Sequence, residues 1–250
     1  MPTLRRSLPA ALGLALAGVA VPAAQAAEGD PVTWMLAPYI WAPTITADLE
    51  TPRGEVGGGG TDFFPDIVDK IEGAFLGHLE AQGDQFGFFA DVLWLKLGAG
   101  EEYALGDTDA DLSTWLVDAA FVWSPGQERY SGFELYGGLR YIDLELDASF
   151  TPTNPAFARR EIGPSESYAD FLAGVRYIAH FNEDWSLSIK GDGSWGQTDG
   201  TWSTAATVGW SPGSGIWGLG WRYMSGDLGS DDEQLDLTLN GPVFGYAFVW

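Results

Sequence analysis

Two histidines and no cysteine limit what this 250-residue chain can do by base-catalysed or thiol chemistry. His78 precedes Glu80 by two residues, and His180 lies in the stretch Ala179-His180-Phe181. Hydrolysis by a nucleophile needs a base within reach of it and a third group that orients the base. His180 has no aspartate two residues before it, and neither histidine offers an outward imidazole with a serine beside it. The expectation is a protein that is not an enzyme and carries no cofactor. Carboxylates are the larger resource, 35 against 12 basic residues, for a net charge of −23. That balance makes nucleic acid and anionic membrane surfaces poor partners. Asp107, Asp109 and Asp111 have the spacing that sets alternate carboxylates around a hard cation. No glycine follows them and no glutamate lies twelve residues on, so the calcium-loop pattern is incomplete. These three are weak metal candidates only. With Asp227, Asp231, Asp232 and Glu233 they read as a solvated acidic rim.

A second ionisable set stands in segments whose side chains alternate in character. It comprises His78, Glu80, Asp91, Asp118, Glu134, Arg140, Asp170, Arg176, Lys190, Asp192 and Arg222. A period of two belongs to β-strands and puts this set on one face of each. Inside a closed sheet it would form either a charged constriction for small ions or solutes, or a set of salt bridges that fills a narrow lumen. An eight-stranded barrel is already filled by its side chains, and ten strands add little room. The largely filled polar lumen is the leading expectation, with a narrow channel as the alternative.

The elements that must carry these residues are about ten alternating segments, at roughly 33–48, 72–82, 86–97, 111–123, 132–146, 167–179, 185–195, 201–210, 216–225 and 235–250. Short connections (83–85, 124–131, 180–184, 211–215) alternate with longer ones (51–71, 98–110, 147–166, 225–234), and only 197–200 is short on the long side. That asymmetry belongs to outer-membrane barrels, with short periplasmic turns and long extracellular loops. The fold class expected is all-β: a closed antiparallel transmembrane barrel of ten strands, or eight.

The opposite faces suit lipid. Trp115 and Trp123, Trp185 and Trp195, and Trp202 and Trp210 bracket three apolar strand faces, and Trp217 and Trp221 mark a fourth. Eight residues at ~3.4 Å each and a tilt near ~40° climb roughly 21 Å, close to the apolar band that aromatic girdles border in such barrels. The chain ends on a face of Phe244, Tyr246, Phe248 and Trp250, expected as a C-terminal insertion signature. In the same segment Leu235, Leu237 and Leu239 have the other parity, so a bulge at Gly241-Pro242 is expected to return both sets to lipid. The first segment, its partner on closure, holds Pro38 and Pro43, so this seam is expected to be the weakest pairing.

At the start of the chain, Arg5 and Arg6 precede the apolar run 8–21 and an Ala24-Gln25-Ala26 cleavage site. Residues 1–26 read as a secretory signal peptide and 27–250 as the barrel domain, with a charge of −25 once the two arginines are removed. No later run is apolar enough for a spanning helix. Thr61 to Ile71, with apolar residues at near-helical spacing, is expected as a short helix over the barrel mouth or a docking turn.

Three strands carry a G-x-R-Y pattern: Gly138 to Tyr141, Gly174 to Tyr177 and Gly220 to Tyr223. Its glycine is expected to let the wall approach the guanidinium. With Pro38-Tyr39-Ile40-Trp41, Phe64-Pro65-Asp66-Ile67-Val68, the pair Gly77–Ala81 and Phe86–Asp91, and the closing Gly241 to Gly245, the mature chain resembles a broad family of small Gram-negative outer-membrane β-barrel proteins. The resemblance implies location and fold rather than an activity. It implies outer-membrane lipid and lipopolysaccharide as surroundings and the barrel assembly machinery during biogenesis; the acidic loops themselves add the expectation of divalent cations shared with lipid A phosphates. Ten strands are also similar to the omptin proteases, but their Asp–His pair at the rim has no counterpart here.

Overall fold

The computed structural model describes residues 32–51, 54–55, 60–62, 70–103, 106–126, 130–152, 160–162, 165–230 and 233–250. The proposed leader and Phe63–Asp69, most of the expected mouth helix, lie outside the described residues; Thr61 and Asp62 are in a strand. Among the described residues every regular element is a strand.

In chain order these are β1 (Thr33–Trp41), β2 (Thr44–Thr51), β3 (Gly54–Glu55), β4 (Gly60–Asp62), β5 (Ile71–Gln82), β6 (Phe86–Tyr103), β7 (Gly106–Trp123), β8 (Gly132–Pro152), β9 (Arg160–Ile162), β10 (Ser165–His180), β11 (Trp185–Gly196), β12 (Gly200–Trp210), β13 (Gly215–Ser230) and β14 (Glu233–Val249). Each long strand pairs antiparallel with the next, and β1 pairs with both β5 and β14, which closes the sheet. Strands β1 and β2 occupy one wall position in succession, while β3, β4 and β9 are short additions at one rim. The wall therefore has ten positions, as the alternation predicts.

Register fixes the size of the barrel. Following paired residues around the wall leads from Met35 through Glu80, Phe89, Ala120, Gly138, Leu172, Ser194, Thr201, Gly226 and Leu237 to Ala47. The circuit returns to the first wall position twelve residues from its start (35 to 47). Ten strands with that stagger tilt by about 40° and enclose a backbone cylinder about 20 Å across. Side chains from opposite walls meet in a cylinder of that width.

Three expected loops are strand over their described residues. Hairpin β6–β7 continues to Tyr103↔Gly106, β7–β8 to Gly106↔Pro152, and β13–β14 to Ser230↔Glu233. Each polar stretch has a neighbour's edge beside it, so its backbone groups are satisfied by the ladder rather than by water. The wall thus extends on one side far beyond the tryptophans. We call that side the upper rim; the lower rim holds the short turns and both ends of the barrel, where Trp34 and Trp250 exchange backbone hydrogen bonds.

The seam also differs from the expectation. Strand β14 keeps one uninterrupted register with β13, so no bulge forms at Gly241-Pro242. Leu237 and Leu239 consequently face the lumen, and Phe244, Phe248 and Trp250 face outward. Along β14 the register of β1 (Trp41↔Val243) carries straight on into β2 (Thr44↔Asn240), bridged by Ala42 N–H to Pro242 C=O, although paired residues are missing at Ala37 and Pro38. Pairing is incomplete on the other side of β1 as well. Its ladder with β5 runs from Thr33↔Gln82 only to Pro38↔Gly77.

Candidate functional site: a charged layer beneath an apolar chamber

The inward face changes character with height. At mid-barrel it is a layer of ionic groups, held there because each strand alternates and the stagger brings their inward positions level. Arg140 on β8 is fully buried. Its Nε and Nη2 donate to the two oxygens of Asp118 at 2.8 Å each, Nη2 also to Asp192 at 2.9 Å, and Nη1 to Thr201 at 2.8 Å. Planar two-point pairing of this kind is the strong form of an ion pair. Arg176 on β10 grips Glu80 with both terminal nitrogens and Glu134 with Nε. Glu134 also accepts from Gln82 and Ser124. Glu80, Glu134, Asp118 and Arg140 all have zero exposure, so burial is tolerated only because each charge is matched.

His78 lies between two carboxylates, Nε2 at 3.0 Å from Glu80 and Nδ1 at 3.1 Å from Asp91. Only a ring with both nitrogens protonated donates to both at once. It also stacks on Phe89. The imidazole bridges the two carboxylates. Lys190 reaches Asp192 at 3.7 Å and lies over the rings of Phe89 and Tyr136. Arg222 is the least satisfied member. Its Nη1 is 3.3 Å from the Tyr39 hydroxyl and 3.7 Å from Asp91, its plane lies over Trp41, and Nη2 is buried with no acceptor among the described residues.

All eleven ionisable residues expected in the lumen face inward, and ten meet in this layer. Asp170 sits at its edge, where it accepts from Ser194, Thr198 and the Gln197 and Thr198 amides; Ser194 shares a hydrogen with Thr201 and so touches the Arg140 cluster. Sequence reasoning missed Tyr39, Gln82, Ser124 and Tyr136, whose hydroxyl donates to Asp192 at 3.0 Å. Strand parity alone could have found Gln82 and Tyr136, because each shares its face with a recognised charge.

The glycines of the repeat act differently from the expectation. A Cβ on Gly174 would run into the Tyr136 ring, and one on Gly138 into the Ala119 and Ala120 backbone. Gly174 makes room for an aromatic ring and Gly138 for the neighbouring wall. Neither spaces a guanidinium.

Above the layer the lumen is apolar, which corrects the expectation of a polar interior throughout. Leu76, Leu93, Leu95, Leu116, Ile142 and Leu239 line a cavity of about 530 Å³, with Trp41 among them. Below it a second cavity of about 300 Å³ runs past Lys190, Ser188 and His180. Tyr39 is the one residue lining both.

On the outside, the eight tryptophans expected at the girdles are all exposed. Trp185, Trp210 and Trp217 align across β11, β12 and β13, and Tyr246 continues the row. Tyr246 packs against Trp217 and Phe248, and is only half-buried between them. Between the rows, Leu219 is 62% exposed, Phe171 65% and Phe121 69%. Asp107, Asp109 and Asp111 lie on one face of β7 rather than in a loop, and among the described residues no cluster is suited to holding a metal ion.

No family model matches the chain, and no curated protein does. Among solved structures it is similar to Ail, the attachment invasion locus protein of Yersinia pestis, at 12% identity and a TM-score of 0.39 over 88% of this chain and 99% of that one. It is likewise similar to the translocator domain of the autotransporter NalP from Neisseria meningitidis, at 11% identity and a TM-score of 0.37 over 89% and 90%, and to the outer membrane protein OprG from Pseudomonas aeruginosa, at 11% identity and a TM-score of 0.32 over 89% and 97%.

Proposed function

We propose that this chain is a non-enzymatic barrel of the Gram-negative outer membrane, with a structural role in the envelope and a lumen sealed at mid-height. The observation that carries this reading is the buried layer built on Arg140 and Arg176. Its central charges, Arg140, Asp118, Glu80 and Glu134, have zero exposure and are matched within the protein, whereas a conducting path needs groups that exchange partners with a passing ion. Membrane placement follows from the exposed aromatic and aliphatic band, since large apolar surface on a soluble protein would drive association, and a closed barrel satisfies every backbone group in lipid. Residues 1–26 act as a signal peptide cleaved after Ala26. The surroundings are outer-membrane lipid and lipopolysaccharide, and Phe244 to Trp250 are read by the barrel assembly machinery during biogenesis. Divalent cations are shared between lipopolysaccharide phosphates and the acidic upper strands.

Planar-bilayer recording tests the seal. The wild-type protein should give no stable conductance steps, and steps of reproducible amplitude would overturn the reading. A second reading, a narrow solute channel, draws on one observation. Tyr39 lines both cavities and stands beside the loosely held Arg222. On that reading Tyr39→Ala multiplies a conductance the wild type already has.

A further inference from the structure

Among the described residues the wall is not continuous beside the upper cavity. From Pro38↔Gly77 upward, β1 and β5 have no paired residues, although both continue. Three causes coincide there. Pro38 has no backbone N–H to extend a ladder. Strand β2 gives its free edge to β4, through Ile45↔Asp62, Thr46↔Thr61 and Ala47↔Gly60. The upper part of β5 pairs with β6 alone and carries a register shift between Ile71 and Gly73.

The cavity reaches the gap from inside. Its lining includes Tyr39 and Trp41 from one edge and Ala74 and Leu76 from the other, together with Ile40 and Phe75. Those last two belong to the outward face and are 61% and 59% exposed. Residues of both faces thus border the cavity at this break. The gap's height also fits. Phe75 aligns across the sheet with Trp94 and then Trp115, and the exposed Lys96–Glu72 ion pair stands just above. The break therefore lies at the upper aromatic belt, where unpaired backbone groups of β5 can reach water and headgroups, and not at the midplane, where each would be costly.

We propose that this break is a side entry by which a hydrocarbon chain from the outer leaflet reaches the upper cavity. The volume falls within the range of cavities that hold a small organic ligand. The lining is aliphatic, and the charged layer below stops deeper passage. The inference rests on the membrane placement proposed above.

The test reconstitutes the full mature chain in phosphatidylcholine vesicles whose acyl chains carry a diazirine, then maps light-induced adducts by mass spectrometry. Adducts are expected on outward residues such as Leu219 and also on inward Leu76, Leu95 and Leu239. Adducts on outward residues alone would overturn the side entry while leaving the membrane placement intact; no adducts on outward residues would overturn the placement itself. The chain has no cysteine, so an Ile40→Cys/Phe75→Cys pair can be bridged after folding with a reducible bis-maleimide. Bridging should abolish the inward adducts and reduction should restore them. Inward adducts that persist under the bridge would mean entry from the open mouth and would overturn the proposal. Ala74→Trp, which fills the gap without chemistry, should give the same loss, and heat-modifiable mobility checks that each variant is folded.

Discussion

Replacing Arg140 by methionine isolates what the charged layer contributes. Arg140 supplies both of the hydrogen bonds found at the Asp118 carboxylate, one to each oxygen, and both side chains have zero exposure. In Arg140→Met the carboxylate is left buried and unmatched, while Asp192 keeps Ser203 at 2.8 Å and Tyr136 at 3.0 Å. The cost is therefore that of one stranded charge, about 3–5 kcal/mol. Removing the stranded partner as well, in Arg140→Met/Asp118→Leu, should return most of it, because a buried ion pair replaced by apolar groups of similar volume is often close to neutral. Urea unfolding in vesicles, followed by heat-modifiable mobility and tryptophan fluorescence, gives both free energies, and the cycle is completed with Asp118→Leu. If Arg140→Met costs less than about 1 kcal/mol, water reaches Asp118 and compensates it. The layer would then be an open constriction, and the sealed lumen would be refuted.

Gly174→Val should destabilise the barrel by about 1–3 kcal/mol through overlap with the Tyr136 ring, and Tyr136→Ala in the same chain should recover part of that. Leu219→Arg, on the lipid face, should cost about 2–4 kcal/mol if it lies near the bilayer midplane, and a negligible cost would contradict membrane burial of that face. Hydrogen exchange in detergent should leave amides of β12 and β13 protected and expose those of Ile71–Leu76 first, since among the described residues the latter have a single neighbouring strand; equal protection would mean the gap is closed in solution. Intact mass of the protein recovered from outer membranes should begin at Ala27, and a chain retaining Arg5 and Arg6 would rule out cleavage after Ala26.

The alternation of side chains determined most of the architecture. Parity in Trp202 to Trp210 or in Ser186 to Asp192 assigns each residue to lipid or lumen before any coordinates, because a strand has only two faces and they meet different solvents. Ten strands, the outward tryptophans and the inward charges all follow from it. Which charges meet could not be read this way. Arg140 and Asp192 are 52 residues apart in sequence, and Arg176 and Glu80 are 96 apart. They come together only through a stagger of twelve residues set by every strand pair around the wall. The same limit explains the errors at Gly241-Pro242. Parity correctly placed Leu237 and Leu239 opposite Phe244, but the assumption that leucines seek lipid required a bulge. The folded barrel gives them an apolar chamber instead, formed by leucines from β5, β6, β7 and β14 that no local window connects. The break between β1 and β5 was likewise out of reach. The sequence showed Pro38, but the edge it leaves unpaired depends on where β2, β4 and β14 lie, and tertiary pairing decides that.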